Sequence, residues 1–252
     1  MRVGEAMIPA TDDGLIRGDG AFDAFSLHDG RPFARRAHID RLERSCAALR
    51  LPCPRALIDA DIDLLLGSAP QGDAVVRVIL TRGGRRLSRL ESISHGEDVA
   101  RPVRMLPVVY DPSMVLNGVK SLSYAANMLA SRRAVAEGYD EALLVNSDGV
   151  VLEGPTCTIF WATAGRLRTP ALETGILASI TRRVIVESLE VQEARFDLED
   201  LLGAEEAFLA STARLAQPIA AVGATAFGAA PGPQTLRAQQ ALHVAIAAGA
   251  ID

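Results

Sequence analysis

Lysine is almost missing from this chain. Of its 26 basic side chains one is Lys120 and the other 25 are arginine. A guanidinium is essentially never deprotonated, so nearly every cation here comes from a group that cannot act as an amine nucleophile. Cysteine is sparse as well. Cys46, Cys53 and Cys157 form no CxxC pair, and so odd and scattered a set excludes a disulfide framework and fits reduced thiols. The four histidines, His28, His38, His95 and His243, are scattered without an HExxH or a ligand-spaced acidic cluster, so no metal is expected. There is no excess of positive charge: the formal net charge of −5 excludes a nucleic-acid surface, which needs a basic field. No apolar run reaches the 18 residues of a membrane helix, and the start, MRVGEAMIPATDD, has no apolar middle of a signal peptide. The expectation is a cytoplasmic protein without membrane contact.

What is present is an ordinary globular composition, 49% apolar and 23% charged over 252 residues, enough for one large domain or two smaller ones. AFDAFSL, HDG and RPFA read as strand, turn and strand. Ile39, Leu42, Cys46 and Leu49 recur at helical spacing from Arg36 to Arg50, and a second helix is expected from Arg55 to Leu66. Ala74–Thr81 and Val103–Val109 read as strands joined by an Arg- and Ser-rich loop. YDPSMVLNG is a connector. The division is therefore a smaller α+β domain over 1–110, a connector over 111–118 and a larger domain over 119–252. The second part opens with a helix near Tyr124 to Glu137. It continues with strands EALLVN and VVLEGPTCTIFWA, a helix from about Ser179, strands EAFLAS and PIAAV, and a helix from about Gln234 to Ala248.

The single lysine stands in NGVKSLSYAANM. A lone lysine can arise by chance in an arginine-biased chain, so the neighbouring motifs must decide whether it carries chemistry. GDGAFDAF, HIDRL, TRGG, KSLSYAANMLA, DEALLVNSDGVVLEGPTCTIFW, TPALETGILASITR and STARLAQPI occur in that order. Together they resemble the class IV aminotransferases, fold-type IV enzymes of pyridoxal 5′-phosphate that include branched-chain and D-amino acid aminotransferases and aminodeoxychorismate lyase. The resemblance implies a two-domain α+β / α/β fold and a homodimer with the cofactor between the domains and near the partner subunit.

It also implies roles for particular residues. Lys120 matches the family's Schiff-base lysine, which can also carry protons at the substrate carbon. Glu153, in VLEGPT, matches the carboxylate beside the ring nitrogen. Ser179, Ile180 and Thr181 match a phosphate-binding helix start, Arg41 the phosphate-binding arginine, and Thr212 with Ala213 a further phosphate contact. Tyr124 would lie one helical turn after Lys120 and could face the cofactor's phenolic oxygen. Taken singly, Glu153 and Arg41 are ordinary solvated charges, SITRR a capped amphipathic helix and Tyr124 a core tyrosine. Thr158, Ser179 and Asp23 stand where relatives often have Asn, Gly and Glu, which bears on the substrate side.

Arg82, Arg85, Arg86 and Arg89 lie beside a loop that in relatives helps bind substrate. Bidentate arginine suits carboxylates, although an exposed loop tolerates arginine without any such use. The substrate implied is a small molecule with an amino and a carboxylate group. Three activities follow. The first is 4-amino-4-deoxychorismate lyase, releasing pyruvate and 4-aminobenzoate for folate synthesis, favoured by the short chain and the KSLSYAAN run. The second is a transaminase of D-amino or branched-chain amino acids, or of primary amines, with a 2-oxo acid. The third is a carrier that binds pyridoxal phosphate without turnover.

Overall fold

The computed structural model describes residues 7–67, 72–93 and 100–249; the first six residues and His95 lie outside that description. The described residues form two compact units. One holds the described residues from 7 to 93 together with Val119–Tyr124, and the other holds the described residues from 100 to Gly118 and Ala125–Ala248.

The first unit contains an antiparallel sheet of β1 (Gly20–His28), β2 (Arg31–Pro32), β3 (Ala74–Thr81) and β4 (Arg86–Ser92), in the order β2-β1-β3-β4. Its helices are α1 (Asp13–Ile16), α2 (Arg35–Ala48) and α3 (Arg55–Leu66). Side chains alternate across a strand, so Ala21, Phe25 and Leu27 share one face with Val76, Val78 and Leu80. They are buried there with Ile39, Leu42 and Cys46 of α2 and Ile58 and Ile62 of α3. The stretch expected to be wholly an Arg- and Ser-rich loop is in part the strand β4, paired with β3 from Leu80↔Arg86 to Ala74↔Ser92. Its alternation is masked because it is an edge strand: Arg86, Ser88 and Ser92 share the core-side face with Leu90, so polar residues stand on both faces.

The second unit contains an eight-stranded sheet made of β5 (Val103–Val109), β6 (Glu141–Val145), β7 (Thr158–Thr163), β8 (Arg166–Pro170), β9 (Val191–Ala194), β10 (Glu206–Ser211), β11 (Leu215–Val222) and β12 (Thr225–Ala226). The order is β6-β5-β11-β10-β7-β8-β9, with β12 on β11. Its helices are α4 (Ala125–Ala136), α5 (Ile180–Ser188), α6 (Leu198–Leu202) and α7 (Pro233–Ala247). Ile159 and Trp161 pack on one face with Phe196 and Leu201, and the Trp161 indole donates to Asp200 at 2.8 Å. The adjacent ring Phe160 stacks on Phe208 at 5.1 Å. Helix α7 has no cap of its own at Gly232. Buried Glu206 of β10 supplies one, accepting from the Gln234 and Thr235 amides at 2.7 and 2.9 Å and from the Thr235 hydroxyl at 2.7 Å. A Cβ at position 232 would stand 2.5 Å from that carboxylate, which requires glycine.

The division differs from the one expected at 110–118. Strand β5 already pairs in parallel with β6 and β11 of the second sheet, so the boundary falls before it. The Lys120 segment returns to the first unit, because Ser121 bridges to Ala21 at the free edge of β1.

Candidate active site

Lys120 lies in extended backbone fastened on both sides. Its carbonyl accepts the Phe22 N–H at 3.0 Å, the Leu122 N–H reaches the Gly20 carbonyl at 2.9 Å, and its own N–H donates to the Ser45 hydroxyl of α2 at 3.1 Å. Gly20 is needed for this approach, since a Cβ there would sit 2.4 Å from the Leu80 carbonyl oxygen and 2.5 Å from Leu122. The half-buried side chain places Nζ 4.6 Å from the Phe22 ring centroid and 5.8 Å from that of Tyr124. The two rings meet edge to face at 5.5 Å. Tyr124 is thus brought beside Lys120, but not along a helix: α4 begins only at Ala125, and contact comes through the extended chain and Phe22.

Arg41, read alone as a solvated helix arginine, is buried. Its Nε and one terminal nitrogen each donate to Asp23 at 2.8 Å, and His38 Nδ1 lies 2.8 Å from the same carboxylate. Burial pushes the Asp23 carboxyl up. The Arg41 charge, then that of His38, and the hydrogen bonds from both more than offset this, holding it well below the usual carboxylate range. Burial in turn pulls the His38 imidazole down despite Asp23, with Arg41 and Lys120 adding to the depression. Asp23, flagged for standing where relatives have Glu, therefore supports Arg41.

The arginines of the TRGG stretch do not converge. Arg82 donates to Asp19 at 3.0 Å and to the Arg50 and Leu49 carbonyls at 2.8 and 2.6 Å. Arg86 is paired with Asp61 of α3, and Arg85 is exposed. Arg82 and Arg86 are thus committed to holding the first unit's own elements, and Arg89 pairs with Glu91 of its own strand.

In the second unit Glu153 accepts the Leu177 N–H at 3.2 Å. Tyr110 donates to the Asn127 side chain at 3.3 Å, and Asn127 donates to the Pro155 carbonyl at 3.2 Å, which ties down the chain just after Glu153. Burial, with the Glu153 charge, raises the Tyr110 phenol. Burial also pushes the Cys157 thiol up to about 12, the nearby Arg214 only partly opposing it, so this cysteine is inert. Leu177 also accepts the Ser179 N–H at 2.8 Å, and Ser179 caps α5, its hydroxyl accepting from Arg182 at 3.3 Å. Ile180 and Thr181 follow, both buried; the first N–H groups of a helix have no acceptor within it. Thr158 of β7 is 1% exposed and pairs with Ala210, and its hydroxyl has no hydrogen-bond partner. Thr212 and Ala213 form the turn after β10. It closes on Leu215, whose φ of 50° is a left-handed conformation that leucine seldom takes. Among the described residues no His, Cys, Asp and Glu are grouped to hold a metal ion, and no helix is long and apolar enough to cross a membrane.

The sequence reading missed Phe22, Ser45 and His38 as neighbours of Lys120 and Arg41 in the first unit, and Asn127 as the residue that ties down the chain after Glu153 in the second. His38 and Arg41, three apart in HIDRL, lie on one helix face, which was a usable signal. Nothing local marks Ser45.

The profile of the family described as amino-transferase class IV matches residues 20–222. The chain belongs to the class IV aminotransferases. These enzymes depend on pyridoxal 5′-phosphate, and the mixed α/β, fold-type IV architecture expected from the motifs is the one found. A Methanocaldococcus jannaschii protein assigned by name to the branched-chain-amino-acid aminotransferases is 34% identical over 243 residues, covering 85% of this chain and 82% of that one. A Mycobacterium tuberculosis bifunctional aminodeoxychorismate lyase / D-amino acid transaminase is 30% identical over 216 residues, covering 74% of each. The fold IV transaminase CpuTA1 of Curtobacterium pusillum aligns with a TM-score of 0.84 at 28% identity, covering 98% of this chain and 92% of that one.

Proposed function

We propose that this class IV enzyme acts on a primary amine at Lys120, as a 4-amino-4-deoxychorismate lyase in the first instance. The donor set suits pyridoxal phosphate. There is one amine, Lys120, for covalent attachment, and a carboxylate, Glu153, for the ring nitrogen. The capped start of α5 at Ser179, Ile180 and Thr181, with Arg41, Thr212 and Ala213, suits the phosphate. Tyr124 suits the phenolic oxygen, and the buried Thr158 hydroxyl, which has no hydrogen-bond partner, suits a polar group of the substrate. When bound, the cofactor supplies an electron sink for a bond broken on the substrate. Lys120 does the proton work: it removes a proton from the substrate ring, the enolpyruvyl ether bond breaks, and the proton returns to the departing group as it becomes pyruvate. No oxidant or second substrate is required.

The observation that carries this reading is the pair of rings, Phe22 and Tyr124, on which the Lys120 amine rests. A flat ring that becomes aromatic packs well against such faces. The test is to supply 4-amino-4-deoxychorismate with no amino acceptor. Equal amounts of 4-aminobenzoate and pyruvate are expected. If neither forms, while D-alanine or a branched-chain amino acid with 2-oxoglutarate gives the oxo acid, the lyase reading falls.

The second reading is that transaminase, in which Lys120 would carry the proton taken from the substrate carbon, the cofactor when bound would supply the electron sink, and the amino group would pass to a 2-oxo acid. It is supported by the Mycobacterium tuberculosis relative, whose name carries both activities. We further infer a cytoplasmic homodimer. Exposed Val109, Met114 and Val115 suit a subunit contact, and light scattering tests it.

A further inference from the structure

The face of the first sheet turned away from α2 and α3 carries charges that no step above uses. Phe22 and Ala24 of β1 lie there beside Arg77 of β3, and Arg77 stands directly opposite Arg89 of β4. Like charges facing each other across a ladder repel. Glu91, two residues beyond Arg89 and on the same face, accepts from Arg77 Nε at 2.8 Å and from Arg89 Nε at 2.9 Å, both through Oε1. Burial pushes the Glu91 carboxyl up, but the two arginines more than offset it, so the group is an anion at neutral pH. The side chains of Arg77, Arg89 and Glu91 are 31%, 45% and 32% exposed, open enough to exchange partners. The Arg77 guanidinium lies 5.6 Å from the centroid of the Phe22 ring, the ring that carries the Lys120 amine at 4.6 Å. Two guanidiniums, with ten N–H donors between them, thus share one carboxylate a single aromatic ring away from the reactive amine.

We propose that Glu91 is a specificity-determining residue: an internal, displaceable carboxylate that occupies Arg77 and Arg89 and competes with an acidic group of any ligand bound at Lys120. A carboxylate on the ligand fits the same forks, but must first displace Glu91. Acidic ligands are therefore held weakly and released readily, while neutral groups are unaffected. The inference rests on the reading of Lys120 as the reaction centre.

The test is calorimetric binding of glutarate and of its neutral analogue glutaramide to the holo-protein, in wild type, Glu91→Gln and Arg77→Gln/Glu91→Gln, with thermal midpoints to check folding. Glu91→Gln is expected to tighten glutarate about twofold to fivefold, the size of a partly exposed charge pair, leave glutaramide unchanged, and lose the gain once Arg77 is also replaced. If Glu91→Gln does not fold, Glu91→Ala is read in its place. Equal affinity of wild type and variant for glutarate, or an equal gain for glutaramide, overturns the proposal. A glutarate gain without turnover of any amine by the wild type removes the functional reading alone; turnover without the gain removes this proposal alone.

Discussion

Replacing Asp23 by Asn probes the buried support of Arg41. Asp23 is 1% exposed and accepts from two Arg41 nitrogens and from the Ala24 N–H, with His38 Nδ1 at hydrogen-bond distance as well. The amide removes the counter-ion of a buried guanidinium, and breaking one side of such a pair costs about 3–5 kcal/mol. The remaining amide oxygen still accepts one bond, so the expected loss is the lower figure, about 3 kcal/mol, or about 6–12 °C in midpoint for a chain of this length. The pH dependence carries its own signature. Because the folded Asp23 carboxyl lies below its unfolded value, its stabilisation is present above the ordinary carboxylate pKa of about 4 and disappears as pH falls beneath it. His38, depressed by burial, protonates first in the unfolded chain, so both proteins weaken as pH falls below about 6.5. The variant weakens slightly more there, having lost the anion that favours the His38 cation. Urea unfolding of the apo-protein at pH 7, 5 and 3, followed by circular dichroism, should give a gap of about 3 kcal/mol that holds or widens to pH 5 and narrows at pH 3. A loss below about 1 kcal/mol at pH 7, or an undiminished gap at pH 3, refutes the ion-pair reasoning.

Lys120→Arg keeps the charge but removes the amine, and should lower kcat/KM by about three orders of magnitude or more while abolishing the cofactor's covalent attachment seen by absorbance. Thr158→Val removes a buried hydroxyl that has no partner; the apo-protein should be unchanged or up to about 1 kcal/mol more stable, whereas the affinity of the holo-protein for its amino substrate, measured by fluorescence titration, should fall. Glu206→Ala strips the α7 start of its cap and should cost about 2 kcal/mol in urea unfolding, an effect that would be absent if water replaced the carboxylate without loss.

Several parts of this molecule could be read along the chain, and others could not, for physical reasons. The 3.6-residue spacing of Ile39, Leu42 and Cys46 announced α2, and the apolar run at Ala74–Thr81 announced β3, because a buried face writes its period into the sequence. Edge strand β4 carries polar residues on both faces, so it looked like a loop. Lys120 stood out through composition alone, but its return to the first sheet depends on a bridge between Ala21 and Ser121, a pairing across a hundred positions with no local trace. Arg41 and Glu206 were harder still. Each looks like a surface charge until its partner is known: Asp23 for the first, the opening amides of α7 for the second.

The three backbone ties around Lys120 have a kinetic consequence. With the main chain pinned to Phe22, Gly20 and Ser45, the amine can travel only by rotation about its own four side-chain bonds. Such rotations occur on a picosecond to nanosecond scale, far faster than turnover. The reach of the base is therefore a fixed arc of a few ångströms, and any slow step observed must arise elsewhere, in ligand entry or departure or in bond breaking itself.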